Sequence, residues 1–101
     1  MLTFVVIDKE QLSTKTVADA EFIDFVEDTV GVYFGHRQLK DVVILENNLL
    51  EELNPLATKL FGTNFFDTII VVNDQDDRYQ SLSEKQLECL YENYQKIIRK
   101  S

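Results

Sequence analysis

The sequence predicts a small single-domain α/β protein in three layers, ordered β-α-β-α-β-α, with a three- to four-stranded, mostly parallel sheet. Three stretches carry apolar residues on both faces: Leu2 to Ile7, Asp41 to Glu46 and Phe65 to Asp74. That pattern suits strands covered on both sides. Segments with helical spacing of apolar residues stand between and after them, and right-handed crossovers would place those helices on both faces. The 101 residues are near the commonest domain size, so 1–101 reads as one domain.

The first strand runs from Leu2 to Ile7 and ends at Asp8. Lys9 to Lys15 is polar and reads as a loop. Thr16, with Asp19 three residues on, reads as a helix N-cap. In the helix that follows, Phe22, Ile23, Phe25, Val26, Thr29, Val30, Tyr33 and Phe34 fall in one half of a helical wheel. Glu21, Asp24, Glu27 and Asp28 fall in the other. Gly35 suits its C-terminal cap. A competing reading ends the helix near Asp28 and makes Val30 to Phe34 a strand.

Gly35 to Lys40 is a polar connection, and Asp41 to Glu46 is the second strand. Asn47-Asn48 either caps a helix or makes a tight turn, and Asn48 with Glu51 favours a helical turn. Asn54-Pro55 opens a short helix that Gly62 closes. The third strand, Phe65 to Asp74, is fully buried, and Asn73 to Gln80 is an acidic turn. Ser81 with Glu84, or Ser83 with Gln86, caps the last helix. Leu87, Leu90, Tyr91, Tyr94, Ile97 and Ile98 share one face of it. Lys96, Arg99 and Lys100 close it in the sense the helix dipole favours.

Composition narrows function by exclusion. Eighteen acids against ten bases give a net charge of −8. That opposes direct binding to nucleic acid or an anionic membrane and favours a basic partner. A single cysteine, Cys89, rules out an internal disulfide and a multi-cysteine zinc site. It lies among Glu88 and Glu92, which disfavour a thiolate nucleophile. The apolar N-terminus is too short for a signal peptide, and no run is long enough to span a bilayer. A cytoplasmic protein without cofactor is expected. His36, the only histidine, reads as a surface residue.

Two places could carry function. Asp8, Glu46 and Asp74 end the three strands. In a parallel sheet they would lie together and could hold Mg²⁺ for phosphoryl chemistry or phosphate sensing. No Gly-rich phosphate loop accompanies them. The second place is the acidic stripe Glu21, Asp24, Glu27 and Asp28, with Glu51 and Glu52 extending it. Ala18 to Asn54 holds nine acids and two bases. Such a row can imitate phosphates and occupy a basic groove. The favoured reading is a non-enzymatic binding protein of this kind, in the class of small acidic inhibitors, immunity proteins and phage anti-defence proteins. Its partner would be a basic protein such as a nucleic-acid enzyme, with Tyr33 or Tyr79 as anchors. A homodimeric assembly subunit is a third possibility.

Overall fold

The computed structural model describes residues 1–99. It corrects the fold class: the protein is built on a six-stranded antiparallel sheet with three helices. The strands are β1 (Leu2–Ile7), β2 (Leu12–Val17), β3 (Phe34–Leu39), β4 (Val42–Asn47), β5 (Ile69–Gln75) and β6 (Arg78–Gln80). The helices are α1 (Phe22–Thr29), α2 (Pro55–Phe61) and α3 (Glu84–Arg99), with one 3-10 turn, Asp19–Glu21, ahead of α1. The order across the sheet is β2-β1-β5-β4-β3, and β6 pairs with the far end of β5. Every pairing is antiparallel.

The central strands β1, β5 and β4 are apolar on both faces because helices cover both faces. Leu2, Phe4, Val6, Val43, Leu45, Ile70 and Val72 pack under α1 against Phe22 and Val26. Phe4 anchors that side, its ring 4.9 Å from Phe22 and 5.2 Å from Phe25. Val5, Ile7, Ile44, Ile69 and Val71 form the other side with Leu56, Ala57, Phe65 and Leu90 under α2 and α3. Two-sided apolarity thus reports two-sided cover and says nothing of strand direction.

The edge strands escaped the sequence reading because they are polar. Lys9 to Lys15 is a hairpin loop followed by most of β2, with Thr16 inside the strand and not at a cap. Asp8 makes the turn, its Oδ1 accepting from the backbone N–H of Glu10 and Gln11 at 2.8 Å each. Gly35 to Lys40 is almost all of β3 and not a connection. Both edges carry charge or glycine, which blunts them against further pairing. The turn Asn73 to Gln80 is a hairpin between extended arms. Its two central residues, Asp76 and Asp77, both have positive φ, as a two-residue primed turn requires.

The helix expected to run through Phe34 ends at Thr29. Gly31, at φ +128°, turns the chain into β3, which starts at Phe34. The competing reading had the break, but its strand lay a few residues early. The third strand starts at Ile69 and not at Phe65; Phe66 makes only a bridge to Leu53. Asn47 to Leu53 holds the end of β4 and a loop, with no helical turn.

The short helix and the last one stand as read. Asn54 caps α2 by accepting from Ala57 N–H at 3.0 Å, and Gly62 ends it at φ +72°. At α3, Ser83 Oγ accepts from Gln86 N–H while Gln86 Oε1 accepts from Ser83 N–H, a reciprocal capping box. Lys100 lies outside the described residues.

Among the described residues one charge is buried. Glu46, 7% exposed, is held by Arg37 at 2.8 Å, and its Oε2 has no partner among the described residues. Arg37 lies over the Phe65 ring, 4.4 Å from its centroid. Replacing Arg37 with Ala strands that carboxylate. The expected cost is about 2 kcal/mol, below that of a fully buried pair because Arg37 keeps one side in water. Glu46→Gln keeps the hydrogen bond and should cost under ~1 kcal/mol. Urea unfolding of both variants measures the difference.

Candidate binding surface

α1 is amphipathic, and the sheet decides which face it shows. Phe22, Val26 and Val30 are buried against the strands, so Glu21, Asp24, Glu27 and Asp28 are left exposed. None of the four makes an ion pair among the described residues. Asp24 and Asp28 repel each other one turn apart. Glu27 and Asp28 stand in the last turn, which holds no base. Acids there oppose the helix dipole by about 0.3–1 kcal/mol. Glu27 and Asp28 therefore cost stability where they stand, whereas Asp24, in the first turn, is favoured by the dipole.

Glu51 and Glu52 lie in the loop between β4 and α2. Their backbone N–H groups donate to the Asp67 carboxylate at 3.1 Å each. Glu52 is ion-paired with Lys9 and so is not part of a free acidic field. Glu51 is exposed and unpaired among the described residues.

This loop is tied to the end of α1. Asn47 Nδ2 donates to Val30 carbonyl at 2.9 Å, and Asn48 N–H donates to Tyr33 carbonyl at 3.0 Å. Two glycines permit the approach. A Cβ on Gly31 would stand 2.9 Å from Asn47 Nδ2, and one on Gly35 would stand 2.5 Å from Asn48 Oδ1. The two loops together present Val32, Tyr33, Leu49, Leu50 and Leu53, all exposed; Tyr33 is 69% exposed and Leu49 61%. This apolar tip adjoins Asp28 in sequence on one side and Glu51 on the other.

Sequence reasoning largely missed the tip. A helix extended through Phe34 puts Tyr33 on its buried ridge, which conflicts with a role as an anchor. Reading Asn48 to Leu53 as a helical turn hid Leu49 and Leu50. The available signal was two leucines set between paired asparagines and paired glutamates.

Leu50 is exceptional twice: it is exposed, and it holds φ +50°, where Gly or Asn would be unstrained. Leu50→Gly exchanges relief of that strain against loss of a half-exposed side chain. Its stability should change by less than about 1 kcal/mol, whereas a core leucine truncation costs ~2–5 kcal/mol. Thermal unfolding checks this.

The strand-end acids do not come together. Asp8 and Glu46 end strands that run in the same direction, but β5 runs the opposite way, so Asp74 lies at the other end of the sheet. Asp8 is engaged in its turn and Glu46 with Arg37. Among the described residues, no three of His, Cys, Asp and Glu are grouped so as to hold a metal ion.

Asp74 belongs instead to a small cleft of about 210 Å³ with His36, Asp77, Arg78 and Tyr79. The His36 and Tyr79 rings are stacked at 5.8 Å, and Tyr79 Oη is hydrogen-bonded to His36 Nε2. Burial, and then the Asp74 carboxylate, raise the Tyr79 phenol above its ordinary value of 10.0. A raised phenol favours folding while it is protonated. That contribution is complete below the unfolded value and fades as pH rises through the folded one. Tyr79→Phe should therefore lose less stability than the parent as pH rises through about 10 and above, measured by urea midpoints.

Comparison with family models, curated proteins and solved structures gives no match. Among the described residues, no helix is long and apolar enough to cross a membrane.

Proposed function

We propose that this protein is a non-enzymatic binding protein that engages and occludes a basic partner, such as a nucleic-acid enzyme, by presenting carboxylates where that partner expects phosphates. The observation that carries this reading is the surface of α1: Glu21, Asp24, Glu27 and Asp28 are exposed and without ion pairs among the described residues, although Glu27 and Asp28 cost helix stability where they stand. The carboxylates steer and orient the partner, and the adjoining tip supplies contact area. Tyr33 is its anchor, because a large exposed aromatic loses little side-chain freedom on docking. Glu51 continues the charged surface from the tip.

The partner is expected to be cationic and its capture sensitive to salt. Immobilised protein incubated with lysate of the source cells, then eluted by rising salt, should release one stoichiometric basic protein. Elution of nothing above background argues against the reading. The exposed apolar tip also favours a second reading, a homodimer joined at the tip. Light scattering at rising protein concentration separates the two.

A further inference from the structure

On the opposite face of the sheet from α1, the turn between β3 and β4 meets α2 and α3 around a groove of about 680 Å³. Leu39, Val42, Leu60, Phe61 and Leu90 give it an apolar lining. This volume lies within the usual range of small-molecule sites. Its charge is opposite to that of the protein as a whole. Lys40 and Lys85 border it, and neither has an ion-pair partner among the described residues. Among the described residues one carboxylate borders it, Asp41, and it is engaged: Gln86 Nε2 donates to Asp41 Oδ2 at 3.2 Å and to its carbonyl at 3.3 Å. Gln86 is itself fixed by Asn73, whose Nδ2 donates to Gln86 Oε1 at 2.7 Å. Lys40 holds φ +50° in the tight turn, a position that suits Gly or Asn.

We propose that this groove binds a small amphipathic anion, a carboxylic acid carried on an apolar chain, with the chain on the leucine and phenylalanine lining and the head at Lys40 and Lys85. An apolar groove alone would take a fatty amine or alcohol as readily as the acid. Two unpaired lysines at its border, against one engaged acid, select the anion. This site is independent of the acidic surface and stands or falls without it.

Cys89 borders the groove with its thiol exposed, and it is the only cysteine in the chain, so its alkylation rate reports occupancy. The experiment follows the reaction of Cys89 with an uncharged maleimide in the presence of decanoate, decylammonium, decanol or acetate. Calorimetric titration of decanoate runs alongside, in case the chain binds without shielding the thiol. Decanoate is expected to bind by calorimetry and to slow alkylation, while decylammonium and acetate leave the rate unchanged and decanol slows it only at higher concentration. In Lys40→Glu/Lys85→Glu, both at exposed side chains, the decanoate concentration for half occupancy should rise about tenfold or more. Equal protection by decanoate and decylammonium would overturn the proposal, as would decanoate giving neither protection nor heat. Unchanged decanoate affinity in the double variant would overturn the assigned role of the lysines.

Discussion

Asn54→Ala is expected to lower the unfolding free energy by about 3 kcal/mol, more than the loss of a helix cap alone accounts for. The side chain is fully buried and makes three hydrogen bonds. Its Oδ1 accepts from Ala57 N–H at 3.0 Å and caps α2. Its Nδ2 donates to the Ile7 carbonyl at 3.1 Å and to the Asp67 carbonyl at 2.8 Å. One amide thus joins the end of β1, the start of α2 and the approach to β5. Removing it leaves two carbonyls without this donor, that of Ile7 in the interior and that of Asp67 partly buried. A buried group left so costs about 1–3 kcal/mol unless it finds another partner. Asp at this position separates capping from clamping, because Asp caps helices as well as Asn does. If capping were the whole role, Asn54→Asp would be nearly neutral. Here a carboxylate oxygen would instead face two carbonyl oxygens, so Asp should be at least as damaging as Ala. Urea unfolding of the two variants decides between these roles.

The second large effect falls on binding and leaves the fold standing. Asp24→Lys/Glu27→Lys changes the charge of the α1 surface by four units at two exposed positions. It removes the repulsion between Asp24 and Asp28, and Glu27→Lys places a base in the last helical turn, which the dipole favours. Asp24→Lys places one in the first turn, which the dipole disfavours. These terms oppose one another, so stability should stay within about 1 kcal/mol of the parent's. Partner affinity should fall about 100-fold or more, because attraction over the contact becomes repulsion. Loss of binding with the fold left standing distinguishes a surface kept for a partner from one kept for the fold. A loss of both together would mean that the acids serve the fold.

What was legible in the sequence was local. Asn54-Pro55 with Gly62 marks the start and stop of α2, and Ser81 with Glu84 or Ser83 with Gln86 marks the start of α3 to within a turn, because capping depends on residues three or four apart. The structure decides for Ser83. The central strands were legible from Val5, Val6, Ile70, Val71 and their neighbours, which must be apolar whichever way their partners run. Strand direction was not legible, since antiparallel strands under two helical layers show the same pattern as parallel ones. The edge strands were hidden for a related reason. In β2 only Leu12 is buried, and β3 carries Gly35, His36 and Arg37, so neither shows a clear apolar pattern. The β-branched Thr14, Thr16 and Val17 were the one available hint of β2.

The candidate site divides along the same line. The acidic face of α1 follows from a helical wheel, and the structure leaves all four of its acids exposed. The apolar tip depends on contacts between Asn47 and Val30, and between Asn48 and Tyr33, that no local pattern encodes. The strand-end acids show the reverse error. Asp8, Glu46 and Asp74 converge only in a parallel sheet, and β5 runs antiparallel to β1 and β4.

The most direct test of the account is the affinity of the captured partner, once purified, for the parent protein and for Asp24→Lys/Glu27→Lys, each at low and high salt. The account predicts tight binding by the parent that weakens steeply with salt, and weak binding by the variant that salt hardly changes or slightly improves. Equal affinities for the two proteins, with the variant fully folded, would contradict it.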